Sequence, residues 1–245
     1  MLLEYAAYNG SAWQVQTVDP VGNSGTFVSL ALDSSDRPRI RYSDSTARDL
    51  KYASFTGTAW QIETVDQAGD VGMFSSLALD DTGRPRIGYY DQTNGDLKYA
   101  SLTGTAWQIE TVISAGNVGG FPSLALDAAG TPHISFTDSQ SYDLVYATRA
   151  GASWIVEPVD TAGDVGMHSS LALDGAGNVR IGYYDSTNTA LKYAALEAGQ
   201  AMQWQIETVA PTGPAGAGNP LFGPANGTSL ALDSAGRPRI SYYGG

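Results

Sequence analysis

The sequence predicts an all-β fold, a five-bladed β-propeller with four antiparallel strands per blade. Three observations predict it: a 47-residue repeat, four strand-like runs inside each repeat, and chain ends that fall in mid-repeat. Trp13, Trp60, Trp107, Trp154 and Trp204 are spaced by 47, 47, 47 and 50 residues. The five SLALD segments beginning at Ser29, Ser76, Ser123, Ser170 and Ser229 are spaced by 47, 47, 47 and 59. Five such units account for all 245 residues and leave no room for a second domain.

The second repeat shows each element in order. SLALD (76–80), RPRIGYYD (84–91), DLKYAS (96–101) and WQIETV (107–112) are short runs rich in β-branched and aromatic residues. The segments between them, DTG, QTNG and LTGT, carry the residues that turns require. The connection to the next SLALD, VDQAGDVGMFS, is long enough to reach a neighbouring sheet. In SLALD the two leucines point one way and Ser76, Ala78 and Asp80 the other; small residues suit an innermost strand where blades converge. The tryptophan after each Gly-containing turn reads as a packing anchor between blades. The chain opens on LLEYA, which matches DLKYA, and closes on RPRISYY, so residues 229–243 and 2–18 are expected to share one blade and close the ring.

Composition limits the function. With 42% hydrophobic and 16% charged residues the chain can bury a core unaided. Thirteen Lys and Arg against 25 Asp and Glu give a net charge of −12, which disfavours nucleic acid and anionic membranes as partners. No apolar stretch approaches the roughly 20 residues of a membrane span, and MLLEYAAYNG lacks the features of a signal peptide. The chain is expected to be either cytosolic or a processed or excised piece of something longer, the latter placed outside the cell or at its surface. The absence of cysteine excludes disulfides, thiolate metal sites and cysteine nucleophiles, and His133 and His168 leave little histidine chemistry.

The segments SLALDxxGRPRIxYYD, xLKYAS and GTAWQIETVD resemble the blades of tachylectin-like and bacterial Asp-box-type propeller proteins along the whole chain. The resemblance implies multivalent carbohydrate binding, with a sugar site at each blade or blade junction. An Asp-box places Ser-x-Asp-x-Gly-x-x-Trp in one hairpin. Here LDxxG is followed by Pro and by Arg or His, and the Trp lies on another turn, so sialidase chemistry is not implied.

In a four-stranded meander the inter-blade loop and the loop between the second and third strands open on one face. Candidate ligand contacts on that face are Asp70, Tyr90, Asp91, Asn94, Asp164, His168, Tyr184, Asp185 and Asn188. Tyr90 with Asp91 and Asn94, and Tyr184 with Asp185 and Asn188, combine an aromatic plate with acceptors and an amide, as a sugar requires. The same Asp-x-Thr-Asn runs are also ordinary turn chemistry. Asp70, Asp164, Asn23 and Asn117 each follow an AG or VG pair and are open to either role. No cofactor is expected; Ca²⁺ is an alternative ligand for these oxygens, although no repeat carries a D-x-D-x-D-G loop. Arg39, Arg86, Arg180 and Arg239, with His133 in the third repeat, are expected to neutralise carboxylates between blades, the alternative being a pocket for a carboxylate ligand. His168 replaces Phe27, Phe74 and Phe121 and is expected to face a central opening.

Near-identical loops favour a monomeric, non-enzymatic glycan-binding protein, because catalysis needs two groups in different environments. The alternatives are a glycosidase with axial carboxylates among Asp70, Asp164 and Asp91, or a scaffold, interaction or engineered repeat module. Features that break the symmetry are Glu4, Gly120, Pro122, Phe136, Tyr142 and the Pro/Gly-rich insertion at 210–228.

Overall fold

The computed structural model describes residues 2–21, 24–200, 203–211 and 227–242, and all their regular structure is β. Asn23 and nearly all of the 210–228 insertion lie outside the described residues. The chain divides into two compact units, residues 1–111 and 112–245.

The first unit opens with a hairpin, β1 (Leu3–Tyr8) and β2 (Trp13–Asp19). One four-stranded sheet follows, β3 (Ser24–Leu32), β4 (Pro38–Asp44), β5 (Asp49–Phe55) and β6 (Trp60–Asp66). The next is β7 (Val71–Leu79), β8 (Pro85–Asp91), β9 (Asp96–Thr103) and β10 (Ala106–Ile113), whose end passes the unit boundary. The second unit holds the sheet β11 (Val118–Leu126), β12 (Pro132–Asp138), β13 (Leu144–Ala150) and β14 (Ser153–Asp160). It continues with β15 (Ser170–Leu173), β16 (Val179–Asp185), β17 (Ala190–Leu196) and β18 (Gln205–Pro211), then the pair β19 (Ser229–Leu232) and β20 (Pro238–Ser241). Each four-stranded sheet is a meander in chain order, as the repeat predicted. The chain ends, expected to share one blade, form two separate two-stranded sheets, β1–β2 in the first unit and β19–β20 in the second.

Strands β3, β7 and β11 are nine residues long and begin ahead of SLALD, inside the segment expected to be a loop. The register of β7 on β8 slips between Val71 and Met73 and again between Met73 and Ser76. Gly72 at φ +93° and Phe74 at φ +43° take left-handed backbone there, which breaks the two-residue alternation by which a strand is read. A side chain at position 72 would put its Cβ 2.9 Å from Leu50 Cα, so the close approach of β7 to the preceding sheet demands glycine.

The cores lie between successive sheets. Leu3 and Val18 of the hairpin pack on Ile40, Tyr42 and Ala53. Leu50, Tyr52 and Val65 meet Val71, Leu77, Ile87 and Tyr89, and in the second unit Leu144, Tyr146 and Val159 meet Val165, Leu171, Ile181 and Tyr183. Trp60, Trp107 and Trp204 anchor these faces as expected, whereas Trp13 is 68% exposed. Trp107 stands edge-on to Tyr52 with ring centroids 5.5 Å apart, and its indole N–H donates to Glu63 Oε2 at 2.9 Å. Trp60 on Tyr5 and Gln16, and Trp204 on Tyr146 and Glu157, repeat the arrangement.

A buried polar network crosses the same interfaces. The hydroxyls of Tyr42, Tyr89 and Tyr183 donate to Asp19, Asp66 and Asp160 of the preceding strand pair or sheet at 2.6, 2.7 and 2.7 Å. Lys98 lies 2.7 Å from Asp91 and 3.4 Å from Asp66; Lys192 lies 2.6 Å from Asp160 and 3.2 Å from Asp185. Lys51 bridges Asp44 and Asp19 in the same way. The third repeat has Ile113, Phe136 and Val145 at the three corresponding positions, so the set is exchanged as a whole. Removing Lys98 alone strands both Asp66 and Asp91, whereas exchanging Asp66, Tyr89 and Lys98 together leaves only Asp91, which keeps its turn donors. Lys98→Val is therefore expected to cost about 3–5 kcal/mol in denaturant unfolding, and the triple variant Asp66→Ile, Tyr89→Phe, Lys98→Val to recover at least half of it. A single variant within about 1 kcal/mol of the parent contradicts the network's role.

Candidate functional site

The hairpin that follows SLALD accounts for the recurrent arginines. Asp80 Oδ1 accepts main-chain N–H groups of Thr82 at 3.0 Å and Arg84 at 2.9 Å, which forms the turn. Its Oδ2 lies 2.8 Å from Arg86, and Asp33–Arg39, Asp174–Arg180 and Asp233–Arg239 repeat the pair at 2.7, 3.1 and 3.0 Å. The arginines thus neutralise carboxylates of their own hairpin, not of a neighbouring blade. Pairing of Ala78 with Arg86 brings the turn aspartate back over the arginine six residues ahead. In the third repeat His133 takes the place, 3.7 Å from Asp127, with Nδ1 2.5 Å from the Tyr146 hydroxyl; burial lowers its pKa.

The inter-blade loop and the second-to-third loop are laced side by side, as the sequence predicted. In the second repeat Gln92 N donates to the Asp70 carbonyl at 2.9 Å and Asp70 N to Thr93 Oγ1 at 2.7 Å. In the fourth, Ser186 N donates to the Asp164 carbonyl and Asp164 N to Thr187 Oγ1, both at 2.8 Å. The preceding second-to-third loop joins from the other side: Val71 N donates to the Arg48 carbonyl at 3.0 Å and Val165 N to that of Tyr142 at 2.9 Å. The glycine before each aspartate follows from this lacing, since a Cβ at Gly163 would stand 2.5 Å from Thr187 Oγ1.

The nine candidate residues separate on this rim. Asp91 and Asp185 are fully buried. Asp91 accepts Thr93 N at 3.0 Å, Asn94 N at 3.2 Å and Asn94 Nδ2 at 2.8 Å, besides pairing with Lys98. Burial opposes its charge, yet the Lys98 ammonium and the Asn94 amide hold its carboxyl below the usual range. Asp185 is held alike by Asn188 N, Asn188 Nδ2 and Lys192. These two carboxylates and two amides build turns. Tyr184 is also buried, so it is no aromatic plate, whereas Tyr90 is half-buried. The second strand of each four-stranded sheet is covered on both faces, which leaves little wet side for Tyr184.

His168 lies tilted against Phe121 with ring centroids 4.2 Å apart, and Phe27 stands edge-on to Phe74 at 4.9 Å. All four take left-handed φ between +43° and +53°. Burial lowers the His168 pKa, its Nε2 is buried without a partner, and its carbonyl accepts Thr228 Oγ1 at 2.7 Å.

Asp70 and Asp164 remain. Asp70 Oδ2 lies 3.5 Å from Arg48, whose side chain is 68% exposed. Asp164 makes no ion pair among the described residues, and its Oδ1 is buried without a donor. Burial, together with the negative charge of Asp185, pushes its pKa up. Among the described residues no three His, Asp or Glu side chains converge as metal ligands would.

No family model matches the chain, and no curated protein does. Solved structures match it at low identity. A protein of unknown function from Dyadobacter fermentans is 12% identical with a TM-score of 0.59, over 88% of this chain and 74% of that one. The Aleuria aurantia lectin, a six-bladed β-propeller described for its fucose recognition, is 10% identical with a TM-score of 0.52, over 95% and 80%. A Xanthomonas campestris gluconolactonase is 12% identical with a TM-score of 0.53, over 94% and 72%. The fold is propeller-like.

At these identities the likeness is one of fold, and it extends to a six-bladed propeller, so blade number does not follow from it. It also corrects the non-enzymatic expectation. An enzyme stands among these propeller neighbours beside a lectin, so repetition of loops does not separate binding from catalysis.

The buried charges fix a pH profile. Asp44, Asp91 and Asp160 sit below their ordinary values despite burial, so their stabilisation is complete above about pH 4 and is lost as pH falls through the folded values. Lys98 and Lys192 are raised by their carboxylates against burial, and that stabilisation is lost only as pH rises past about 10.4 through the folded values. His133 and His168, lowered by burial, cost stability as pH falls from about 6.5. The urea midpoint is expected to be flat from about pH 7 to 10, to decline below 6.5 and to fall steeply below 4. An unchanged midpoint between pH 3 and 7 contradicts the assignment.

Proposed function

We propose that the chain is a carbohydrate-binding propeller, with five blades from its five repeats and with its ligand sites on the laced rim. The proposal rests on the division among the rim carboxylates. Asp91 and Asp185 are saturated by lysine, amide and backbone donors, while Asp164 stands part-exposed with its Oδ1 buried and without a donor among the described residues. Hydroxyl groups are what an unsatisfied carboxylate beside threonines can recruit, and sugars supply them in adjacent pairs. The lectin of similar fold adds an analogy.

A second reading keeps the same ligand class and makes the protein act on it. The raised pKa of Asp164 favours its protonated form, as a general acid for glycoside or lactone chemistry requires. A glycan array, with and without calcium, followed by a product-release assay on any glycan bound, separates the two. Binding without turnover is the expected result. Turnover abolished by Asp164→Asn establishes the enzyme instead, and a blank array with no turnover overturns both.

A further inference from the structure

Resting on that carbohydrate reading, we propose that Tyr142, Asp164 and Thr187 form an open rim site for a neutral pyranoside, and that the equivalent position in the first unit is held shut by Arg48. The two positions share a backbone. Arg48 and Tyr142 take left-handed φ of +64° and +61°, and their carbonyls accept Val71 N and Val165 N at 3.0 and 2.9 Å. Asp70 N and Asp164 N donate to Thr93 and Thr187 at 2.7 and 2.8 Å.

One side chain makes the difference. Arg48 sets its NH1 3.5 Å from Asp70 Oδ2, so the acceptor of the first unit already has a donor. Tyr142 has no charge to offer, and Asp164 keeps one oxygen buried and unpartnered in a part-exposed residue. A buried acceptor with no donor is costly and calls for a partner from outside the chain. Tyr142 is 49% exposed and offers an aromatic face on the loop that is hydrogen-bonded to Val165 and Gly166.

A pyranose meets both demands, its C–H face covering an aromatic ring and its vicinal hydroxyls donating to a carboxylate. The charge of Asp185 near Asp164, in a chain of net charge −12, selects against uronates and sialates. Recognition of this kind requires the ionised carboxylate. Its formation on the protein is opposed by burial, so the site is held at a cost in stability, as functional sites commonly are.

The test uses the full chain with the methyl glycosides of fucose, galactose, glucose and mannose, and a methyl sialoside as the anionic control, titrated calorimetrically. At least one neutral glycoside is expected to bind and the sialoside not to. Asp164→Asn and Tyr142→Ala are each expected to weaken binding about tenfold or more, with an undiminished melting temperature that rises for Asp164→Asn. Arg48→Tyr is expected to add one site per chain. Tyr142→Ala alters an exposed side chain, so it keeps the test valid if the aspartate variant misfolds. Glycoside binding unchanged by both variants, or no added site in Arg48→Tyr, overturns this assignment and leaves carbohydrate binding standing. Preference for the sialoside also overturns it. If none of the four neutral glycosides binds, both this site and the carbohydrate reading fail.

Discussion

A lysine held between two aspartates, beneath a tyrosine hydroxyl, is the interaction on which the rest of the structure depends. Lys98 joins Asp66, at the end of one sheet, to Asp91, at the end of the second strand of the next. Asp91 spends its remaining lone pairs on the loop that follows it. Blade packing and rim geometry are therefore one network, and a displacement of Lys98 would release both. Such charges are expensive to bury and are stable only when every partner is present. In the third repeat Ile113, Phe136 and Val145 replace one aspartate, the tyrosine and the lysine together, while the second aspartate, Asp138, is retained for its turn, accepting Gln140 N at 2.8 Å.

A ligand could use only the acceptors that network leaves over. The carboxylates with lysine partners are acceptors already filled, and those beside arginines in the SLALD hairpins are filled as well. Asp164 differs because the residue that could neutralise it is a tyrosine where the first unit has an arginine. The rim thus departs from symmetry through side chains carried on a repeated backbone. Strain is repeated too. Phe27, Phe74 and Phe121 hold left-handed backbone in the bulged strands β3, β7 and β11, and His168 in the turn before β15, a conformation costing about 1–3 kcal/mol per residue, and the ring pairs at 4.9 and 4.2 Å help to offset it.

The sheets were legible because period and turn chemistry are local properties: the 47-residue spacing and the runs between Gly and Asn turns name every strand core. The start of β7 was not, since Gly72 and Phe74 interrupt its alternation. Of the tandem tyrosines, Tyr90 and Tyr184 drew attention as sugar plates, yet Tyr89 and Tyr183 carry the buried hydroxyls and Tyr184 is core. A strand covered on both faces gives no period by which to tell them apart. A signal for the network was present. Each Asp precedes its Tyr by 23 residues and its Lys by 32, and all three vanish together in the third repeat. The AG before Asp70 and Asp164 was visible as a motif, but its cause, the approach of Thr93 and Thr187, exists only in three dimensions.

Among the described rim aspartates Asp91 and Asp185 are filled structural acceptors and Asp164 is an unsatisfied one, to which we assign the ligand. Carboxyl-carbon NMR titration of the aspartates, assigned residue by residue, reads this directly. Asp91 and Asp160 are predicted to titrate below the ordinary aspartate range and Asp164 above it, with only the Asp164 resonance shifting when a neutral glycoside is added. An Asp164 that titrates with or below Asp91, and does not respond to glycoside, contradicts the account.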